Sequence, residues 1–250
     1  MPGPRIDRTH DQRLRCWVPG AMGHQDFPVQ NLPMCSFIAA GRSRAGVLIG
    51  DFVLGLECLG ATLGDDDADL RPVFAARNLD RFVALPSHRR ARVRALISDY
   101  LTSDPGPTAK QALFASDEVK FTVPATVTDF SDFFAGIHHA LTAGRFFRPE
   151  EPLLPNYKHV PIAYHGRSSS VVASGHPVRR PSGQVAAHGA TAPEWRASRR
   201  LDFELELAFW ISGGNPLGEP IPIAEAGDKL VGVGLLNDWS ARDIPSWETK

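Results

Sequence analysis

The sequence predicts a mainly β protein with some helix, and three patterns carry that prediction. Residues 201–210, LDFELELAFW, alternate apolar and acidic side chains, which is typical of a strand with two unlike faces. Residues 35–58 are short apolar runs separated by the turn signals GRSRAG and GD, which indicates several short strands. Residues 76–115 change to a helical pattern. We therefore expect a small β-rich unit with helices, followed by a second region that begins near Val123.

The order of elements suggests three segments. Residues 1–21, rich in Pro, Gly and Arg, are expected to be a disordered extension, with Met22 as a possible alternative start. Residues 22–121 are expected to form an N-terminal domain, whose basic cluster at 87–101 predicts a helix with a solvated basic face and whose AKQALFA run predicts further helix. Residues 122–250 are expected to be the first portion of a second domain.

Two elements of the second domain are predicted from their local pattern. A helix is expected over 131–143, closed by Gly144, and the apolar run LVGVGLL is expected to be a strand that ends at Asn237 and Asp238. The sequence stops directly after SWET, without a charged tail or a terminal helix, so we expect a C-terminal truncation.

Composition excludes several classes of protein. The net charge of −1 gives no reason to expect a nucleic-acid or anionic-membrane partner. Three cysteines without a CxxC spacing argue against a disulfide framework and a cysteine zinc site, and favour a reducing cytosol. No apolar run approaches the roughly 18 residues of a membrane span. The absence of Walker A, Rossmann, HExxH and GxSxG motifs disfavours nucleotide chemistry and serine hydrolysis.

The acidic face of residues 201–210 is the first chemical feature. Glu204 and Glu206 share one side of the predicted strand, about 6.6 Å apart, and their repulsion would cost about 2.5 kcal/mol at an effective dielectric near 20. On an exposed strand such a pair is ordinary solvated surface. Inside an apolar strand the carboxylates need a proton, a cationic partner or a metal, and Ca²⁺ or Mg²⁺ is the natural choice for oxygen donors. Two carboxylates do not complete a coordination shell.

Further candidate groups lie elsewhere in the second domain. Asp238 follows the apolar strand, although a turn or helix N-cap role is an alternative. In a helix over 131–143, Asp132 and His139 would share one face about 10.5 Å apart, although a first-turn acid and a hydrogen-bonded structural histidine are the plainer interpretations.

Cations and a tyrosine nearby suit an acidic ligand. Arg148, Arg167 and Arg242 are candidate anion-binding groups, and Arg242 could instead pair with Asp238 four residues earlier. Tyr164 is a candidate pocket wall or simply a core tyrosine.

Several long ordered motifs resemble the fumarylacetoacetase family: DFPVQNLPMCSF, LPNYKHVPIAYHGRSSSVVASGHPVRRPSGQ, LDFELELAFWI, GNPLGEPIPI and LNDWSARDI. The resemblance runs from about His24 to the last residue. It implies a small SH3-like barrel followed by a β-rich catalytic domain, in a cytoplasmic homodimer. It also implies hydrolysis of a carbon–carbon bond in 4-fumarylacetoacetate to fumarate and acetoacetate, the last step of tyrosine and phenylalanine catabolism.

The resemblance assigns roles to individual residues. It implies a Ca²⁺ site, with Mg²⁺ also expected, formed by Asp132, Glu204, Glu206 and Asp238. It implies His139 as general base for water, Arg242 as a catalytic residue, and Arg148 and Tyr164 as substrate-binding residues.

The sequence departs from the family pattern at Phe134, Pro245 and Thr249, where the family has a tyrosine, a glutamine and a tyrosine. It also ends before the family's lysine, its Gly/Thr segment and the glutamate that partners the histidine. Three hypotheses follow: a partial sequence of a fumarylacetoacetase, an inactive truncated fragment of one, or a related diketone-acid hydrolase.

Overall fold

A computed structural model of the chain describes residues 6–104 and 106–249, without the side chains of residues 107 and 108. Thirteen strands lie within these residues: β1 Met34–Ala39, β2 Arg42–Ile49, β3 Phe52–Gly55, β4 Leu113–Ala115, β5 Lys120–Thr122, β6 Ser131–Phe133, β7 Ala163–His165, β8 Ser182–Val185, β9 Glu194–Ala197, β10 Leu201–Asp202, β11 Leu205–Ile211, β12 Leu230–Asn237 and β13 Ser240–Ala241. The α-helices are α1 Glu57–Gly60, α2 Arg71–Phe74, α3 Asp80–Val83, α4 Ser87–Thr102, α5 Gly106–Gln111, α6 Ile137–Phe147, α7 Ala226–Lys229 and α8 Pro245–Glu248. Short 3-10 helices occupy Arg8–His10, Asp65–Leu70 and Ser168–Ser170.

The first half of the chain builds a five-stranded antiparallel sheet with the order β4-β3-β2-β1-β5. The short strands predicted within 35–58 are confirmed, but most of the GRSRAG stretch is strand rather than turn. The chain reverses at Ala40 and Gly41, both with positive φ, so β2 begins at Arg42. Closure of this sheet into the SH3-like barrel implied by the resemblance stays a prediction.

Helix α4 supplies one side of the main core. Val93, Ile97 and Leu101 are fully buried at a spacing of four, which places them on one face of the helix. The predicted solvated basic face is wrong in one respect, because Arg90 is also buried. The helix prediction for AKQALFA is half right: α5 ends at Gln111, and Leu113–Ala115 is strand β4, held by pairing with β3.

The segment before Met22, expected to be an extension, has defined contacts from residue 6 onward. The backbone N–H of Trp17 donates to the carbonyl of Leu101, and Val18 is buried in the same core as α4. Arg94 of α4 donates through Nε to the hydroxyl of Thr9 at 2.9 Å. These contacts tie the segment to the N-terminal core.

The chain divides into two compact units. Unit 1 comprises residues 1–125 and 174–250, and unit 2 comprises residues 126–173. The domain boundaries proposed from the sequence, 22–121 and 122–250, stay a prediction.

Unit 2 contains the strand pair β6–β7 and helix α6. The predicted helix over 131–143 is wrong at its start, since 131–133 form β6 and the helix begins at Ile137. It is also wrong at its end, because α6 continues through Gly144 to Phe147. Gly144 is buried, and a Cβ there would overlap the carbonyl oxygen of Pro152, so close packing rather than helix termination requires this glycine.

The second part of unit 1 carries three strand pairs, β8–β9, β10–β13 and β11–β12. The alternating stretch of the opening pattern is strand, broken after Asp202, and the predicted strand LVGVGLL is confirmed as β12. The interpretation of residues 201–210 as an interior strand is wrong for the apolar side of β11. Leu205, Leu207 and Phe209 on the apolar side are solvent-exposed in the structure, whereas Glu204 and Glu206 on the other side are half-buried. Trp210, on the same side as the two glutamates, packs against the core.

Within residues 6–104 and 106–249, no helix is both long and apolar enough to cross a bilayer.

Candidate metal centre

Two predicted metal ligands meet where β11 begins and β12 ends. Glu204 and Asp238 exchange both backbone hydrogen bonds, at 3.1 Å from Glu204 N and 2.9 Å from Asp238 N. The pair continues the antiparallel register of the strands, in which Glu206 lies opposite Leu236. Directly opposed residues place their side chains on the same face of a sheet. The backbone pairing therefore brings Glu204, Glu206 and Asp238 to one corner of unit 1.

The side chains of this corner are close enough to share a ligand. One carboxylate oxygen of Glu206 and one of Asp238 lie within 4.8 Å of each other, and both residues are half-buried. Partly desolvated carboxylates at this distance favour a bound cation, since each lowers the free energy of a positive charge between them. The donors are oxygens only, which suits Ca²⁺ or Mg²⁺ better than a soft metal.

Arg242 lies beside the third carboxylate. Its Nη2 is 3.1 Å from Oε1 of Glu204, and its Nε is 3.5 Å from Oδ2 of Asp202. Glu204 therefore carries an ion pair in this structure. The guanidinium is half-exposed, which leaves donors of Arg242 accessible to a second anion.

A buried acid next to Arg242 was missed by the sequence reasoning. Asp243 is 8% exposed and accepts from the hydroxyl of Ser198 at 2.5 Å and from the backbone N–H of Arg199 at 2.9 Å. Nη1 of Arg196 also donates to it at 3.2 Å. The Ser198 hydrogen bond is the main cause that lowers the pKa of Asp243 to about 2, followed by that of Arg199. The only signal in the sequence was its place inside the motif LNDWSARDI, which does not report burial.

Unit 2 by itself brings two other predicted site residues together. Asp132 on β6 lies directly opposite Tyr164 on β7. Their side chains therefore share a face, with Cβ atoms about 5 Å apart. The expected placement of Asp132 and His139 on one helix face is wrong, because Asp132 belongs to a strand. Tyr164 is 61% exposed, so the core-tyrosine alternative is also wrong.

His139 lies in the first turn of α6 and contacts Phe134. The two ring centroids are 5.1 Å apart with an interplanar angle of 74°, an edge-on arrangement. Phe134 also meets the ring of Tyr157 edge-on at 6.4 Å. Phe134 and Tyr157 line a cavity of about 320 Å³, together with Phe133, Ala135 and residues 158–162. The residue that departs from the family pattern thus borders both a cavity and the candidate base.

The remaining predicted groups lie at element ends. Arg148 directly follows α6, and its backbone N–H donates to the carbonyl of Gly144. Arg167 directly precedes the 3-10 helix Ser168–Ser170. Pro245 is the first residue of α8 and Thr249 follows its last residue, so these two departures from the family pattern lie at opposite ends of one short helix. The Thr249 hydroxyl donates to the carbonyl of Pro245 at 2.8 Å.

The cysteines offer no nucleophile. Burial raises the pKa of the Cys35 thiol to about 12 and that of Cys58 to about 11, and it also raises the pKa of Cys16. Thiols with raised pKa values are weak nucleophiles and poor metal ligands at neutral pH. The carboxylates, and not the thiols, are therefore the candidate metal ligands among the described residues.

Comparison with known proteins identifies the family. Residues 30–124 match the family model for the fumarylacetoacetase N-terminal domain, and residues 130–250 match that for the fumarylacetoacetate (FAA) hydrolase C-terminal domain. Both models describe parts of the same kind of enzyme, and the N-terminal model matches before the C-terminal model along the chain. The chain belongs to the fumarylacetoacetase family.

Individual relatives agree with this assignment. The chain is 40% identical over 233 residues to a fumarylacetoacetase of Bos taurus, 41% over 236 residues to one of Caenorhabditis elegans, and 44% over 243 residues to one of Aspergillus fumigatus. These alignments cover 89%, 90% and 89% of this chain but 56% of each relative, so the chain spans about half their length. A solved fumarylacetoacetate hydrolase from psychrophilic Exiguobacterium antarcticum superposes with a TM-score of 0.49 at 16% identity, covering 88% of this chain and 60% of that one.

Proposed function

We propose that this chain is part of a fumarylacetoacetase, a hydrolase that cleaves the carbon–carbon bond of 4-fumarylacetoacetate to give fumarate and acetoacetate. The observation that carries the proposal is the carboxylate corner of unit 1, where the hydrogen-bonded pair of Glu204 and Asp238 aligns three acids beside Arg242. The relatives, which are named fumarylacetoacetase, support the choice of reaction.

The proposed cation site of unit 1 comprises Glu204, Glu206 and Asp238. The family resemblance adds Asp132 to this ligand set. Its donors are all carboxylate oxygens, which is the donor chemistry that Ca²⁺ and Mg²⁺ prefer. When bound, such a cation supplies Lewis-acid polarisation of the oxygens of a 1,3-diketone.

The chain's own residues supply the remaining chemistry. His139 accepts a proton from the water that attacks the substrate carbonyl carbon, and edge-on contact with Phe134 restricts the orientation of its ring. The hydroxyl of that water stays on the carbonyl carbon and becomes part of the new fumarate carboxyl group. The bond from this carbon to the neighbouring CH2 breaks, its electron pair leaves with acetoacetate as an enolate, and the proton taken up from water goes to that CH2 and gives the methyl group of acetoacetate. Arg242 and Arg148 bind carboxylate or developing enolate charge, and the Tyr164 hydroxyl donates a hydrogen bond to the substrate.

A second candidate function is favoured by one observation. Phe134 borders the cavity of unit 2 and lacks the hydroxyl that the family's tyrosine would present there. A related diketone-acid substrate that needs no hydrogen bond at this position is therefore the alternative. An inactive fragment is the third hypothesis, because the chain spans about half the length of its relatives.

The test is hydrolysis of 4-fumarylacetoacetate by the chain with millimolar Ca²⁺, followed as loss of the diketone absorbance, beside the variant Glu206→Gln. Activity in the chain and its loss in the variant are the expected result. Activity only towards another diketo acid favours the second candidate. Calcium binding without any turnover supports the inactive fragment, and absence of both calcium binding and turnover contradicts the proposal.

The resemblance also leads us to propose a cytoplasmic homodimer. Leu205, Leu207, Phe209, Val233 and Leu235 expose more than half of their side chains on β11 and β12, and exposed apolar surface of this kind is typical of a protein contact. Light scattering after size exclusion would give the mass of the dimer if the proposal is right and that of one chain if it is wrong.

A further inference from the structure

Asp243 is a buried carboxylate whose neighbours tie two chain segments together. All three of its donors lie within residues 196–199, at the end of β9 and the start of the link to β10. Ser198 also accepts from the backbone N–H of Arg200 at 3.2 Å, which extends the same network by one residue. Asp243 thus connects the end of β13 to the segment that leads into β10.

The strand pair that Asp243 adjoins is the outer end of a longer ladder, because β10–β13 has the same register as β11–β12 on the other side of Glu204 and Asp238. β10 and β13 share two residue pairs, Leu201 with Ala241 and Asp202 with Ser240. One further backbone hydrogen bond, from Arg242 N to the carbonyl of Arg200 at 2.9 Å, follows at the end. The last residue pairs of a ladder open most easily unless side chains hold them. The Asp243 carboxylate lies one residue beyond that last hydrogen bond.

The side chain of Arg242 is not held in place by its own ion pairs. Its guanidinium reaches Glu204 at 3.1 Å and Asp202 at 3.5 Å, but the side chain is 52% exposed. Ion pairs of exposed, flexible side chains contribute little and do not by themselves hold a long side chain in one place. The position of the Arg242 backbone therefore decides where its charge lies.

We propose that Asp243 is a positioning residue that holds Arg242 at the carboxylate corner of unit 1. It acts through Ser198 and the backbone of residues 199 and 200, and it touches no ligand itself. The consequence for binding an acidic substrate rests on the proposed function of Arg242, whereas the positioning of the Arg242 backbone does not.

Asp243→Asn is the perturbation, and Asp67→Asn is its matched control. Asp67 is a buried acid in the same unit, 5% exposed and paired with Arg92 at 2.6 Å. Asp67→Asn therefore also removes one negative charge from a buried, paired position. Ser198→Ala is a milder variant that removes one donor to Asp243 and keeps the charge.

Amide hydrogen exchange at Arg242 tests the positioning directly. We expect Asp243→Asn to speed this exchange at least tenfold more than Asp67→Asn, with Ser198→Ala in between. In calorimetry, acetoacetate binding to the calcium-loaded chain should weaken about tenfold in Asp243→Asn, while the calcium affinity stays within twofold.

The outcomes separate this inference from the proposed function. Equal exchange rates at Arg242 in the wild-type chain and Asp243→Asn, or equal acceleration in both Asp→Asn variants, would overturn the positioning role. If the wild-type chain binds neither calcium nor acetoacetate but the exchange contrast is present, the positioning role stands and the proposed function fails.

Discussion

Replacing Glu206 with Gln should have opposite effects on the chain with and without calcium. The substitution keeps the shape of the side chain and removes one of two negative charges at the corner. Without a cation the change relieves repulsion with Asp238, so the free energy of unfolding should rise. With calcium it removes a ligand, so the stabilisation by the cation should fall.

The magnitude follows from the distance between the two carboxylates. The two carboxylate oxygens lie within 4.8 Å of each other, and at that upper limit two unit charges repel by about 3.5 kcal/mol at an effective dielectric of 20 and by about 0.9 kcal/mol at the dielectric of water. Because both residues are half-buried, we expect a value between these limits. This corresponds to a rise in Tm of roughly 2–14 °C for a chain of this size. Calcium at 100 times its Kd should add about 2.7 kcal/mol to the wild-type chain, or roughly 5–11 °C.

Thermal unfolding followed by circular dichroism, with and without calcium, measures both effects. Glu219→Gln is the matched control, since Glu219 is an exposed acid in the loop after β11 and the substitution removes the same charge. The control should keep the wild-type Tm and the wild-type calcium shift. An unchanged or lower Tm for calcium-free Glu206→Gln, or a full calcium shift in that variant, would refute the reasoning.

Three further predictions concern residues that position the site. Gly144→Ala should destabilise unit 2 by about 1–3 kcal/mol, because the new methyl group overlaps the carbonyl of Pro152. Limited proteolysis should then cleave within residues 126–173 faster than in the wild-type chain, and an unchanged cleavage rate would contradict this. Arg90→Met should lower the free energy of unfolding in urea by about 1–3 kcal/mol, because Arg90 donates to the Ser212 hydroxyl and to the carbonyls of residues 85, 228 and 230. The control Arg81→Met, at an exposed position, should leave the free energy of unfolding unchanged. The pKa of Asp243 is lowered from 3.8 to about 2, so its ionised carboxylate stabilises the folded state. This stabilisation is fully present above about pH 4 and is lost as the pH falls towards 2. Unfolding measured between pH 2 and 5 should therefore show a steeper loss of stability in the wild-type chain than in Asp243→Asn, and parallel curves would show that the carboxylate is not held as described.

Local sequence patterns correctly predicted the helices and strands whose formation depends mainly on residues close together in the chain. The apolar run of β12, the short strands of 35–58 and the long helix α4 were all predicted, because their periodicity is a local property of the chain. The motifs were also sufficient for the family, since several ordered segments rarely coincide by chance.

Local patterns failed where pairing or packing with distant residues decides the structure. Asp132 lies in β6 because residues 131–133 pair with β7, about thirty residues later, which overrides their resemblance to a first helical turn. The close contact with Pro152 explains why Gly144 lies inside α6 instead of ending it.

The sequence by itself determined which chemical groups this protein carries, their spacing along each strand, and the family to which it belongs. Only the tertiary structure decided which side of β11 is covered, because alternation distinguishes two faces without telling which one meets the core. Only the tertiary structure, likewise, showed that Arg90 and Asp243 are buried while other charged residues nearby are exposed. Burial of a charged group depends on hydrogen-bond partners that arrive from distant parts of the chain, such as Ser212 for Arg90, and those partners are set by the packing of whole elements.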